Sequence, residues 1–452
     1  MKSLDIPPKK KGIEWIRIGE VILLFVALPT LIFLLIASIR PFFLHFSYYF
    51  IISTFAVQGL FSFANSFSAL SRKRFAEQPD IVHRPVPKTS FIVSAYLPNE
   101  VAVVYGTITN IIQNVERPDN GIEVILAYNT PHLEEIEARL KELAYQHPEL
   151  ILANAHGSRS KSENLNYALE LASGAMIVLL DADHLVESTC LKKAWRWLER
   201  GYDAVQGRCK IRNSAEGVIP KIVAVEFEVI YGIMHYAKSR MFDTALFGGS
   251  NGYWRAEVLK AIQFRTDRLT EDIDATIRAL LKGYRIVHDR SIVSSEEAPL
   301  TAGALWHQRK RWAQGWFQVS IHYQLDVFRS QFFNFRQRFL WTTLLWWRIF
   351  YDIISHFLFP VVFAYWIYRG QITIPVTSYI LFTIIITLSS GPVEALVAYK
   401  NAAKAKASLV QYLFYAFITF PYTLFKNTIQ TVAILDELRG KREWIISERV
   451  KK

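Results

Sequence analysis

Hydrophobic positions follow two different regimes along the chain. Val21 to Ile39 is an uncharged apolar run, Pro41 to Ser71 is a second, and only Arg40 stands between them. Each is long enough to cross the ~30 Å hydrocarbon core of a bilayer as a helix, so the pair reads as a transmembrane hairpin. A cleaved signal peptide is the rival reading of the first run, but no small-residue cleavage site follows and a second span comes at once. Beyond residue 80 the pattern turns to short β-branched runs alternating with segments of helical period. The predicted strands are Ser90 to Tyr96, Ile122 to Tyr128, Leu150 to Ala153, Ala175 to Leu180 and Asp203 to Arg208, with helices around 100–115, 132–146, 161–173 and 186–199. Such alternation builds a mostly parallel α/β sheet whose ligand site lies beyond the carboxyl ends of its strands.

Apolar character returns near Phe339 and persists to about Leu435, broken into three segments by Arg369 and by the Lys400 to Lys406 stretch. Two spans before the α/β region and three after it would put the basic tail from Arg439 outside, against the positive-inside tendency. The segment expected not to cross simply is Leu409 to Leu435, where Pro421 and Lys426 would bend the run into two short halves or a re-entrant element. Arg348 and Asp352 are four residues apart and share a helix face. They are either interfacial anchors or a pair that dips into the bundle beside an acceptor or product path. The expected division is a transmembrane hairpin over 1–75, a catalytic domain over 80–300, interfacial helices over 301–337, a second membrane region over 338–435 and a basic tail over 436–452.

Composition supports this hybrid: 51% hydrophobic and 14% aromatic residues are too apolar for an ordinary soluble enzyme and too polar for a pure membrane bundle. The formal net charge of +12 is concentrated beside apolar segments, at Lys9 to Lys11, Arg72 to Arg74, Lys400, Lys404 and Lys406, and Arg439, Lys441 and Arg442. Cytoplasmic flanks of membrane spans have this character, which argues for membrane lipids and against nucleic acid as partners. The expected location is the plasma (inner) membrane with the catalytic domain in the cytoplasm. Cys190 and Cys209 are the two cysteines; without Cys-x-x-Cys spacing they imply neither a disulfide framework nor a zinc site.

Four short motifs carry chemistry. The run ending at Leu180 is followed by Asp181-Ala182-Asp183, two carboxylates that face one way in extended backbone and repel unless a cation joins them. A hard ion, Mg²⁺ or Mn²⁺, with diphosphate oxygens completing its shell is the functional reading. An exposed acidic turn is the plain one. Ser160 and Glu163 form a Ser-x-x-Glu capping box, so a helix starts near Lys161, with Lys161 and Asn164 in its first turn as phosphate or ribose contacts or as an ordinary solvated helix start. Thr270-Glu271-Asp272 suits a helix N-terminus electrostatically, and alternatively makes Asp272 a general base for an acceptor hydroxyl. Gln308, Arg311 and Trp312 share one helix face able to hold a diphosphate and stack a sugar, or to anchor an interfacial helix, the role expected for Trp306 and Trp316.

In this order, Asp181-x-Asp183, Thr270-Glu271-Asp272 and Gln308-x-x-Arg311-Trp312 resemble glycosyltransferase family 2, in its membrane-integrated branch with the cellulose, hyaluronan and chitin synthases and glycolipid-forming members. The resemblance covers about residues 88–320 closely and the membrane segments only in layout. It implies a GT-A (Rossmann-like) fold and an inverting transfer from a UDP-sugar to a polysaccharide or lipid acceptor. Asp183 then resembles the metal ligand, Asp181 a contact to nucleotide and metal, and Asp272 the catalytic base with Glu271 beside it on the acceptor side. Gln308 and Arg311 match the diphosphate contacts, and Trp312 the aromatic residue beneath the acceptor sugar. Gly248 to Gly252, Gly249 among them, resembles the glycine-rich loop near the acceptor, and Tyr96 and Glu100 resemble contacts to the nucleotide base. Two departures stand out. No acidic residue follows the second strand, so the base contact falls to Asn129, and Leu97 and Pro98 are inserted after Tyr96. The leading function is a processive polysaccharide synthase, supported by Gln-x-x-Arg-Trp and by amphipathic stretches at Ile219 to Met241 and Thr301 to Phe328. The rival is a glycolipid synthase adding a single sugar. A non-catalytic membrane scaffold is the alternative from another class, opposed by the joint retention of all the motifs.

Overall fold

Residues 13–70, 84–131, 135–372, 377–402 and 407–442 are described by a computed structural model. The basic clusters Lys9 to Lys11 and Arg72 to Arg74, and Lys404 and Lys406, lie outside these residues. The strands are Thr89–Tyr96 (β1), Ile122–Asn129 (β2), Leu150–Asn154 (β3), Met176–Asp181 (β4), Leu185–Val186 (β5), Ala204–Ile211 (β6), Gly252–Arg255 (β7) and Ile286–Glu296 (β8). They form one mixed sheet in the order β3-β2-β1-β4-β7-β6-β8-β5. All five predicted strands are present, each within a few residues of its expected bounds. The expected parallel character holds for β3-β2-β1-β4 and for β6 with β8, while β7 runs antiparallel between the two blocks and β5 runs antiparallel to β8.

The central strands are buried on both faces, which is why they read as unbroken apolar runs. Val178 and Leu180 of β4 face a core shared with helices Val104–Asn114 and Cys190–Leu198. Ile177 and Leu179 face a second core under helices Lys161–Leu171, Ala256–Ile262 and Glu271–Leu281. Register aligns Tyr96 with Asn129 and Ser94 with Asp181, so the carboxyl ends of β1, β2 and β4 open on one edge.

Four helical stretches are long and apolar enough to cross a membrane: Trp15–Ile39, Pro41–Leu70, Phe335–Arg369 and Ser378–Asn401. Close packing between two of them requires a glycine, since a Cβ at Gly59 would lie 2.9 Å from Ile386. Leu409–Leu438 is not among the four, yet it is neither two halves nor a re-entrant loop. It is one helix of 30 residues running straight through Pro421. The lost N–H is tolerated because the helix is braced by Ala302–Arg329 and Ser378–Asn401, and the charge of Lys426 is met by Glu226 at 3.0 Å. One end touches the α/β half and the other touches helix Ala302–Arg329. Tyr412 is fully buried in a cluster with Cys209 and Val223, while Asp436 pairs with Lys310 at 2.9 Å and Glu437 accepts from Gln314 at 2.9 Å. Two of the four candidate spans precede the sheet and two follow it.

Candidate active site

The acidic pair ends β4 at the sheet's open edge. Asp181 Oδ1 receives Lys161 Nζ at 2.5 Å, and the same ammonium lies 3.4 Å from Glu271 and donates to the Gly249 carbonyl at 3.1 Å. Lys161 is there because Ser160 caps its helix: the Glu163 N–H donates to Ser160 Oγ at 3.2 Å, and the Glu163 carboxylate accepts from Arg159 N–H at 2.7 Å. Burial would lower the Lys161 ammonium, but Asp181 and Glu271 outweigh it and hold it above its ordinary range. Asp183 is buried, with Oδ2 accepting from Glu297 N–H at 3.0 Å. Behind it, His184, Cys209 and Glu296 bring ligand atoms within 4.8 Å of one another, with His184 Nε2 3.2 Å from Glu296. Reading by motif missed His184 and Glu296. The position of His184 directly after Asp183 is the one local signal that could have found the first.

Asp272 stands in the first turn of Glu271–Leu281, across from Lys161. A Cβ at Gly249 would lie 2.9 Å from Asp272 Oδ2, and Gly249 has φ +87°, so glycine is demanded there both by space and by conformation. Burial raises the Asp272 carboxyl and neighbouring Glu271 raises it further, to about 7, against the opposing pull of Lys161.

Gln308, Arg311 and Trp312 project from helix Ala302–Arg329 into the same cleft. Gln308 Oε1 and Arg311 Nε are buried and have no hydrogen-bond partner among the described residues. Trp312 is backed by the Arg309 guanidinium 4.1 Å from its ring, itself paired with Glu226 at 2.7 Å. The anchor role expected for Trp306 and Trp316 is not what the structure shows. Trp306 is fully buried, packing on Phe425 and donating to Glu14 at 2.9 Å, because its helix is enclosed between the first helix and Leu409–Leu438. Trp316 lines the cleft with Arg348 stacked on its ring. On the other wall, Asn164 donates to the Ala95 carbonyl at 3.2 Å and to Asn129 at 2.9 Å, with Tyr96 and Glu100 beside them. The inserted Leu97 and Pro98 form a short helical turn, Leu97–Glu100, with Leu97 fully buried.

Apart from Asn251 and Gly252 of the glycine-rich loop, the residues assigned from the motifs to catalysis, metal, donor or acceptor line one cleft of about 620 Å³; Arg348 lines it too, whereas Asp352, its suggested partner on an acceptor path, does not. A mixed α/β sheet presenting paired carboxylates to a cleft at its strand ends is the architecture of a GT-A glycosyltransferase. Residues 176–393 match the family described as glycosyl transferase family group 2, so the chain carries a glycosyltransferase family 2 domain. It is similar to the poly-beta-1,6-N-acetyl-D-glucosamine synthases of Staphylococcus aureus strain COL, at 25% identity over 54% of this chain and 58% of the relative. The match to that of Staphylococcus epidermidis is 26% over 53% and 57%. The chain thus spans less than two thirds of the length of these relatives. In fold it is similar to the mannosyltransferase PcManGT from Pyrobaculum calidifontis in complex with GDP-Man and Mn²⁺, with a TM-score of 0.54 and 19% identity over 87% of this chain and 99% of that one.

Proposed function

We propose that the chain moves a sugar, with inversion, from a nucleotide-sugar to an acceptor held at the membrane. The observation that carries this reading is Asp272, a buried carboxyl poised near neutrality and facing the Lys161–Asp181 pair across one cleft. Asn129, Asn164, Tyr96 and Glu100 bind the nucleoside, and Gln308 and Arg311, whose buried polar atoms lack partners among the described residues, take the diphosphate. Trp312 stacks the acceptor sugar. Asp272 accepts the acceptor hydroxyl's proton as its oxygen bonds to the anomeric carbon and the bond from that carbon to the diphosphate breaks, releasing the nucleoside diphosphate. Asp181 and Asp183 supply hard oxygen donors suited to Mg²⁺ or Mn²⁺, and Lys161 already marks a cation position on Asp181. When bound, such an ion neutralises charge on the leaving diphosphate.

UDP is the expected nucleotide, and the GDP-Man of the PcManGT complex makes a GDP-sugar the second donor to examine. The synthases among the relatives favour extension of a polysaccharide; a cationic pocket described below favours a lipid acceptor. The even number of candidate spans and the residues Arg439 and Lys441 support an inner-membrane protein with its catalytic half in the cytoplasm. The test is release of UDP or GDP by the purified full chain with Mn²⁺ and a panel of donor sugars. EDTA should abolish release, and Asp272→Asn should lower transfer by about 10²–10⁴-fold. No release from any donor, with Asp272→Asn indistinguishable from wild type, would leave the scaffold reading standing.

A further inference from the structure

Past Trp312 the cleft continues toward the membrane half of the molecule, where two cations line it. Lys238 comes from helix Tyr236–Phe242 and Arg348 from helix Phe335–Ser355, which opens the third of the four candidate spans. The Arg348 guanidinium lies 4.4 Å from the centre of the Trp316 ring. Among the described residues no carboxylate lies within ion-pair distance of either cation; the acids whose charge reaches them are Glu394 for Lys238 and Asp352 for Arg348. Both acids also meet neutral groups: Asp352 faces the Gln430 side-chain amide, and Glu394, which faces Lys238, is hydrogen-bonded to Ser62. The next cations, Arg309 and Lys426, are both matched by Glu226. Burial, and then the proximity of Arg348, hold the Lys238 ammonium down at about 8 against the opposing pull of Glu394.

The diphosphate contacts, Gln308 and Arg311, belong to a different helix, so these cations are surplus to the donor. What they fit is a second anion. A planar guanidinium and a compact ammonium converging on one space suit phosphate oxygens. The walls beside them, Tyr231, Met234 and Trp316, are largely apolar. An anion that arrives on a membrane-borne chain meets both surfaces together.

Resting on the glycosyl-transfer reading, we propose that Lys238 and Arg348 bind a phosphate group carried by the lipid acceptor, which makes that acceptor a phosphate-bearing amphiphile and not a neutral one. Calorimetric titration of the full chain in a maltoside detergent with dodecyl phosphate, dodecanol and inorganic phosphate tests this. Dodecyl phosphate should bind at least about tenfold more tightly than either other probe, and Lys238→Gln and Arg348→Gln should each weaken it about tenfold, the loss of one charge-assisted contact. Lys238→Arg, which keeps the charge, should stay within about threefold of wild type. Thermal melts establish that each variant is folded. Equal binding of dodecanol or of inorganic phosphate overturns the proposal, as does a folded Lys238→Gln with undiminished affinity or a Lys238→Arg as weak as Lys238→Gln. Titration of the wild type with UDP and Mn²⁺ reports separately on the donor site. Its failure beside intact dodecyl phosphate binding strikes the transfer reading, and the reverse strikes this one.

Discussion

Asp272, with its carboxyl raised to about 7 by burial and by Glu271, is a base only on the alkaline side of that value. Transfer should therefore rise about tenfold between pH 6 and pH 8 as the proton leaves, read as kcat/KM at saturating Mn²⁺. A flat profile across that interval would remove Asp272 from the proton transfer. The same shift has the opposite sign for stability: the folded carboxyl holds its proton more tightly than the unfolded one, so its contribution declines as pH climbs from about 4 to 7. Asp181, Asp183, Asp272 and the Gln308-x-x-Arg311-Trp312 face were legible in the sequence because each motif is local, a strand end or one turn of helix. Lys238 was not. Its meaning depends on Arg348, which only tertiary structure brings to it, and on neither cation having an acid within ion-pair distance among the described residues. His184 and Glu296 were hidden for the same reason, since β5 and β8 have to pair before the two meet.

Glu226 joins three helices. It accepts from Tyr422 at 3.0 Å, pairs with Arg309 at 2.7 Å and with Lys426 at 3.0 Å, and is itself buried. Burial would raise its carboxyl, but Arg309 and then Lys426 reverse the effect and bring it to about 2. Glu226→Ala leaves two cations without a counterion and should cost about 3–5 kcal/mol of stability, measured by chemical denaturation in detergent. Transfer should fall with it, because Arg309 backs Trp312. A variant as stable as wild type would show that the junction is not held by this charge. The wild-type contribution is present above the ordinary carboxyl range and is lost as pH falls toward 2. Among the elements, strands buried on both faces were readable as apolar runs, and the Lys161 helix from its cap. β8 was not, since His288, Asp289 and Arg290 interrupt its apolar pattern, and β7 was concealed in a glycine-rich stretch. Trp306 was read as a surface anchor because composition alone does not show that its helix is enclosed on both sides.

At the scale of the molecule, counting apolar segments gives five and an orientation at odds with the charges. Among the described residues four helical stretches are long and apolar enough to cross, and Leu409–Leu438, whose Tyr412 is buried with Cys209 and whose Asp436 pairs with Lys310, is not one of them. Gln411, Lys426 and Asn427 keep that helix less apolar than the four, a difference that a count of long apolar runs passes over. Cysteines placed singly at Ile372, between the last two spans and highly exposed, and at Arg442 should react with a membrane-impermeant maleimide from opposite sides of the membrane. Native Cys190 and Cys209 are buried and give a low background. Labelling of both positions from one side would return the count to an odd number. With Leu409–Leu438 secured at each end, the proposed reading brings the acceptor to the cleft by sliding sideways within the lipid sheet and not by collision from bulk water. Turnover then answers to how crowded the acceptor is among its neighbouring lipids, and inert lipid slows the reaction by surface dilution, without ever occupying the site.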